Sequence, residues 1–388
     1  MDSVLNSTVQ LIRESVWGSD SSLLPLEEVE SVYALLREHG LLALPTNVIS
    51  KIPMNDSLRT KWRGQLFQQL FIYNNVVNAQ QKVLSALVKE GIQTVVLKGT
   101  SASQYYPIPE YRAMGDIDFL VKNSDLYRAK DIIESCGYAA IASDISNDRH
   151  ISLSRGYIQI ELHNRFASEK VIGNPKKFDE LLFNDMSLER TKLSDPINGL
   201  VLIEHIAQHL NGGIGLRQII DWMMFVYHCL DDHMWEQRFC QLVEMNGLAK
   251  LSIYITRMCQ IHLGLTENKI TWCLQAEDST CNALFNYIVN CGNFGHSRNS
   301  WESGEITKLP SLRHPVRLFK YLQQRGQKNW LLAQKYPILR PFSWIYQITK
   351  YVKMRKNLNS NGISLKSILD ERIMRKDLFA KVGIPIED

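Results

Sequence analysis

The chain is poor in cysteine and has no tract dominated by one kind of residue. Its seven cysteines are odd in number and include no Cys-x-x-Cys pair, which argues against a disulfide framework and for free thiols in a reducing compartment. No uninterrupted apolar run approaches the roughly 20 residues that span a bilayer, so no transmembrane segment is expected. The opening MDSVLNSTVQLIRESVW has no basic stretch leading into an apolar one, so no secretory signal is expected and a cytoplasmic location follows. Internal repeats, low-complexity tracts and Pro-rich linkers are missing as well. The helical flanks are therefore expected to pack on the sheet rather than swing free. Acid is missing locally. Between Ile306 and Leu369 there are 13 Lys/Arg and no Asp or Glu, so the other 31 Lys/Arg face 40 Asp/Glu although the net charge is +4. A stretch of that kind either attracts an anionic partner (nucleic acid, a membrane surface or a phosphorylated protein) or forms solvated helices whose counter-charges lie elsewhere.

What is present is ordinary for a globular protein, with 388 residues and 45% apolar side chains, enough for two or three domains. Patterning divides the chain into a helical region over 1–91, an α/β core over 92–166, a helical region over 167–305 and a basic helical region over 306–388. In the first region SLRTKWRGQLFQQLFIYNNVVNAQQKVLSALVKEG repeats apolar residues at three- and four-residue spacing and stops at Gly91. In the second, short β-branched runs appear (TVVL, DIDFLV, YAAIA, HISLS, YIQIEL), with one helix, SDLYRAKDIIESCG, between them. Ser124 and Asp125 are natural caps for that helix and Gly137 its natural stop. Strands then disappear, and PINGLVLIEHIAQHL, LRQIIDWMMFVYHCLDD and HMWEQRFCQLVEMNGLAKLSIYITRMCQIHLG read as buried or half-buried helices. The fold class expected is α+β, a small mixed sheet flanked by helical regions on both sides.

Residues i and i+2 of a strand share a face. Asp116 and Asp118 are therefore on one face of their strand, and Gln159, Glu161 and His163 on one face of theirs. If the strands are neighbours, Asp116, Asp118 and Glu161 converge. Three carboxylates repel one another unless a cation neutralises them, and a hard divalent ion with oxygen ligands does so. Two such ions would clamp the attacking and leaving oxygens of a phosphoryl displacement. In the competing reading these acids form ordinary ion pairs with Arg112, Arg128, Arg155 or Arg165. Upstream, Lys98-Gly99-Thr100-Ser101 leaves a strand and opens a helix. Backbone N–H groups there suit a phosphate, Gly99 permits close approach, Thr100 and Ser101 offer hydroxyls and Lys98 a charge.

The run LKG…YYP…R.MGDIDFLV followed by IELHNRF resembles the DNA polymerase β-like nucleotidyltransferase superfamily. Within it, the run is similar to the bacterial family of uncharacterised nucleotidyltransferases. The resemblance extends from the WGSD…LLREHGLLALP region to HL…LRQIIDW, roughly residues 10–230. It implies a nucleotidyltransferase core in which Asp116 and Asp118 bind Mg²⁺, Glu161 is the third acid, and Gly99 with Thr100 holds the β- and γ-phosphates. Two features depart from the superfamily pattern. The turn is Gly-Thr rather than Gly-Ser or Gly-Gly, and the gap from it to Asp116 is longer than usual.

Other residues stand nearby. Arg112 would contact a triphosphate or the acceptor, or pair with Glu110 or an aspartate. His163 would support Glu161 or reach an acceptor, and Arg217 and Asp221, one helical turn apart, would form an ion pair orienting one member towards the nucleotide. His205 and His209 are spaced as metal ligands but lack a third, and Cys259 with His262 lacks a second pair. Gly213-Ile-Gly215 follows no strand and is no dinucleotide fingerprint. The aromatic and basic residues of FSWIYQITKYVKMRK suit either a packed face with a snorkelling basic edge or a nucleic-acid or membrane surface.

Together these residues predict an enzyme that moves a nucleoside monophosphate from an NTP, ATP by preference, to an acceptor hydroxyl or phosphate, releasing pyrophosphate. The acceptor is a small molecule, peptide, protein or RNA. One alternative keeps the site but uses a nucleotide-linked donor such as a nucleotide sugar. Another is a non-catalytic nucleotide-binding adaptor.

Overall fold

A computed structural model describes residues 3–18, 28–141, 149–210, 212–291, 309, 314–360 and 365–385. Among the described residues all five strands lie between Thr94 and His163: β1 (Thr94–Leu97), β2 (Ile117–Val121), β3 (Ala139–Ala140), β4 (His150–Arg155) and β5 (Ile158–His163). They form one mixed sheet in the order β1-β2-β5-β4-β3. The outer neighbours are antiparallel, whereas β2 and β5 run parallel at the centre. A parallel pair needs a long crossover, and helix α5 (Leu126–Ser135) with β3 and β4 supplies it. Of the described part of the run YAAIA, residues 138–141, two residues form β3 at the edge.

The helices before the sheet are α1 (Ser3–Trp17), α2 (Val29–Glu38) and α3 (Asp56–Lys89); α4 (Gly99–Ser103) follows β1. Beyond the sheet come α6 (Pro175–Asp185), α7 (Asp195–Leu210), α8 (Leu216–Cys229), α9 (Ala249–Leu263), α10 (Asp278–Cys291), α11 (Pro315–Asn329), α12 (Ser343–Ser360) and α13 (Leu365–Lys381).

Each face of the sheet has its own core. Val96, Phe119, Val121, Ile160 and Leu162 point to one face and meet Val83 and Leu87 of α3 and Ile133 of α5. Val95, Leu97 and Leu120 point to the other and join the larger helical core around Trp222, Phe225, Phe239 and Phe285. Only the second half of α3 packs on the sheet. Its first half leaves Phe67 and Phe71 exposed, at 69% and 63%. The basic stretch forms a hairpin of α11 and α12 around a small cluster of Leu322, Tyr351 and Met354; residues 306–308, 310–313 and 361–364 of that stretch lie outside the described residues.

One local expectation is corrected. Neither Ser124 nor Asp125 caps α5 with its side chain, because Asn123–Asp125 already form a tight turn that feeds the helix. The apolar stretch from His233 to Gly264 is helical as expected, in more than one piece. A π-helical turn over Trp235–Phe239 is followed by a break at Gly247, whose φ of +71° suits glycine.

Candidate functional site

Strand register brings the acids together. Asp118 lies directly opposite Glu161 across the parallel β2–β5 pair, and Asp116 precedes it by two residues on the same face. Carboxylate oxygens of Asp116, Asp118 and Glu161 lie within 4.8 Å of one another. Asp116 is exposed, Glu161 half-buried and Asp118 buried at 2% exposure, so the cluster runs from solvent into the sheet. A donor set of oxygens only, graded in burial and crowded with negative charge, can hold a divalent cation.

The protein also answers that charge from within. Lys98 Nζ sits 2.7 Å from Asp118 Oδ1. His163 Nε2 lies 3.0 Å from the same oxygen and 3.2 Å from Glu161 Oε2. Burial by itself would lower the pKa of Lys98, but Asp118 and Asp116 outweigh it and hold the ammonium above its ordinary value. Burial likewise works against charged His163, and its hydrogen bonds to Asp118 and Glu161 overcome it, raising its pKa. Burial would raise Glu161, yet the bond from His163 brings it below the usual range. Of the arginines considered as partners, Arg128 reaches Glu90 and Arg155 the Cys136 carbonyl.

The turn after β1 is sharply bent. Lys98 takes φ +50° and ψ −149° and Gly99 φ +42°, a backbone that costs an L-residue energy and that glycine tolerates. The bend turns Lys98 back over the sheet towards Asp118. Both neighbouring hydroxyls donate inward, Thr100 to Gln80 Oε1 at 2.8 Å and Ser101 to the Val96 carbonyl at 2.6 Å. Their structural role is to pin the turn to α3 and to β1.

Arg112 is buried and clamps Asp221 of α8 through two bonds, Nε to Oδ1 at 3.0 Å and Nη2 to Oδ2 at 2.7 Å. Tyr106 donates to the same carboxylate at 2.8 Å. The expected intrahelical pair of Arg217 with Asp221 is therefore not formed. Asp221 is taken by the loop that leads into Asp116, and Arg217 donates instead to the Ala113 carbonyl at 3.1 Å. Burial, followed by the Arg112 charge, lowers the pKa of Arg217.

Helix α7 borders the site more closely than its sequence suggested. His205 and His209 stack edge-on, with ring centroids 4.5 Å apart. Burial and then the Lys98 charge push His209 down to about 4, and it also feels Asp116, Asp118 and Glu161. One turn earlier, buried Glu204 accepts the Ser168 N–H at 2.9 Å, and burial raises its pKa to about 7. Cys259 is buried in the helical core and His262 stacks flat on Phe285 at 4.1 Å, so that pair serves packing.

Sequence reasoning missed His150, which lies opposite His163 across the β4–β5 pair, and Gln80, which holds the turn from α3. Strand alternation places His150 and Ser152 on one face, but only the register tells which strand they meet.

No curated protein and no solved structure matches the chain significantly. A family model described as uncharacterised nucleotidyltransferase matches residues 25–264, a span that holds the whole sheet, the acid cluster and helices α2 to α9. On that match and this geometry, the chain belongs to the uncharacterised nucleotidyltransferase family and is a nucleotidyltransferase.

Proposed function

We propose that the protein transfers a nucleoside monophosphate from an NTP, with ATP the first choice, to an acceptor hydroxyl or phosphate with release of pyrophosphate. The observation that carries this reading is the in-register meeting of Asp118 and Glu161, with Asp116 two residues upstream, beside Lys98. Asp116, Asp118 and Glu161 would hold Mg²⁺, as two ions. When bound, Mg²⁺ neutralises the phosphates and stabilises the charge that builds up on them during transfer.

The chain's own groups do the rest. Lys98 and the Gly99–Thr100 backbone bind the outer phosphates, and Arg217 and clamped Arg112 add positive potential on the α8 side. A bond forms between the acceptor oxygen and the α-phosphorus, the α–β bridging bond breaks, and the acceptor proton passes to Glu161 or to water. Asp221 and His163 hold Arg112 and Glu161 in place. Exposed bases on α11 and α12, among them Arg317, Lys320, Lys353 and Lys356, support an anionic partner for the stretch 306–369.

The test is incubation with each α-³²P NTP, Mg²⁺ and a cell extract, beside the Asp116→Ala/Asp118→Ala variant. Label transferred to an acceptor together with pyrophosphate release, both lost in the variant, is the expected result. Equal labelling by the variant overturns the assignment.

A further inference from the structure

The cluster contains more than its acids. The antiparallel register sets His150 of β4 directly opposite His163 of β5, so both imidazoles stand on the face that carries Glu161. Their ring centroids are 5.0 Å apart. Each turns its Nε2 to a different oxygen of the same carboxylate, His150 at 3.9 Å from Oε1 and His163 at 3.2 Å from Oε2. Ligand atoms of all three residues lie within 4.8 Å of one another.

We propose that His150, Glu161 and His163 form a further metal position, distinct from the Mg²⁺ site of the three acids and bridged to it through Glu161, that takes a borderline divalent ion of the manganese-to-zinc series rather than Mg²⁺. Neighbouring ligands at about 2.1 Å from an ion sit roughly 3.0–3.4 Å apart in octahedral or tetrahedral geometry. The His163–Glu161 spacing already fits, the ion taking the place of the Nε2 proton that His163 shares with Asp118 and Glu161, and a movement of half-buried His150 by roughly 1 Å brings its approach to Glu161 into the same range. Two imidazoles and a carboxylate match ions that accept nitrogen donors, whereas Mg²⁺ keeps oxygen and water. His163 is buried and packed beside Phe166, so one ligand is held rigidly. His150 and Glu161 are half-buried, leaving an approach for the ion. One carboxylate shared by two positions also suits the separation of about 3.5–4 Å seen in two-ion sites. The inference depends on the proposed function only for the identity of the neighbouring all-oxygen position.

The experiment is a Co²⁺ titration of the chelator-stripped full-length protein without nucleotide, read by equilibrium dialysis and visible absorption. Without the nucleotide phosphates that complete the second Mg²⁺ ion, wild type is expected to hold two Co²⁺, one among the three acids and one at the histidines, of which excess Mg²⁺ displaces the first. His150→Ala should lose at least roughly tenfold in affinity for the Mg²⁺-resistant ion while keeping the other. Asp116→Asn should do the reverse. In His150→Cys, a thiolate-to-cobalt charge-transfer band in the near ultraviolet would show ligation directly, and circular dichroism checks the fold of each variant. A wild type whose cobalt is wholly displaced by Mg²⁺ overturns the proposal. So does a His150→Ala protein with unchanged stoichiometry and spectrum, or a His150→Cys protein without the band. Failure to turn over any NTP would sink the nucleotidyl-transfer reading but leave these outcomes decisive.

Discussion

Asp116 and Asp118 share a strand face but not an environment, and the difference is measurable. Asp118 is the partner of Lys98, whose side chain is only 15% exposed, and of His163. Asp118→Asn strips a buried ammonium of its carboxylate, which costs about 3–5 kcal/mol. Asp116 is exposed among like charges, so Asp116→Asn relieves repulsion and should change stability by less than about 0.5 kcal/mol. Urea titrations in chelator would separate the two, and equal destabilisation would contradict the picture. Two other buried groups set opposing pH dependences. His39 accepts the Leu216 N–H at 3.1 Å and is held by burial at about 4. Its unfolded form takes a proton first, so its contribution is complete above pH 6.5 and lost as pH falls towards 4. Glu204, raised to about 7, keeps its proton longer in the folded state, and stability falls as pH rises from 4.5 to 7. Each spans about 3 kcal/mol at most. Glu204→Gln should therefore be more stable relative to wild type at pH 7.5 than at pH 4.5, and His39→Gln should lose its disadvantage towards pH 4. Stability curves against pH for both variants check the signs.

At the scale of elements, packing between α7 and α8 is set by one residue. A Cβ at Gly199 would lie 2.2 Å from the Phe225 ring, in a core without slack. Gly199→Ala should force the helices apart and cost about 1–3 kcal/mol, lowering the midpoint of thermal unfolding; an unchanged midpoint would show that the ring can move aside. Because Arg217 and Asp221 ride on α8, the same shift should disturb the Arg112 clamp and lower activity. This level also marks what the sequence could disclose. The convergence of Asp116, Asp118 and Glu161 was legible because strand alternation has a period of two, and apolar periodicity outlined most of the helices around the sheet. The clamp was not legible. Helical spacing offered Arg217 as the partner of Asp221, four residues away, while the partner it takes is Arg112, 109 positions away along the chain. The face of His150 was equally readable, but its neighbour depends on a register fixed by the whole sheet. Local period is written in the chain, whereas register and tertiary pairing come from the sum of contacts.

Across the whole molecule stability should be unevenly spread. The helical core holds large buried side chains such as Trp222, Phe225, Phe239 and Phe285, and the second core seals the far face of the sheet. The α11–α12 hairpin rests on Leu322, Tyr351 and Met354, while Val316 and Val352 stay 68% and 50% exposed. Local opening free energies follow buried apolar contact, so amides of α7 and α8 should exchange only on global unfolding and those of α11 and α12 well before. The hairpin also has its own weak point, since a Cβ at Gly326 would meet the Ser343 carbonyl oxygen at 1.9 Å. Gly326→Ala should hasten exchange over 315–360 while leaving α7 and the global melting midpoint unchanged. Hydrogen exchange read by mass spectrometry tests both statements. If Mg²⁺ and an NTP are then added, protection should rise over 97–121, where Lys98, Gly99, Asp116 and Asp118 lie, and not in the hairpin. Protection that rose equally in both would mean that the hairpin also contacts the bound nucleotide, and confinement of the nucleotide to the 97–121 side would be wrong.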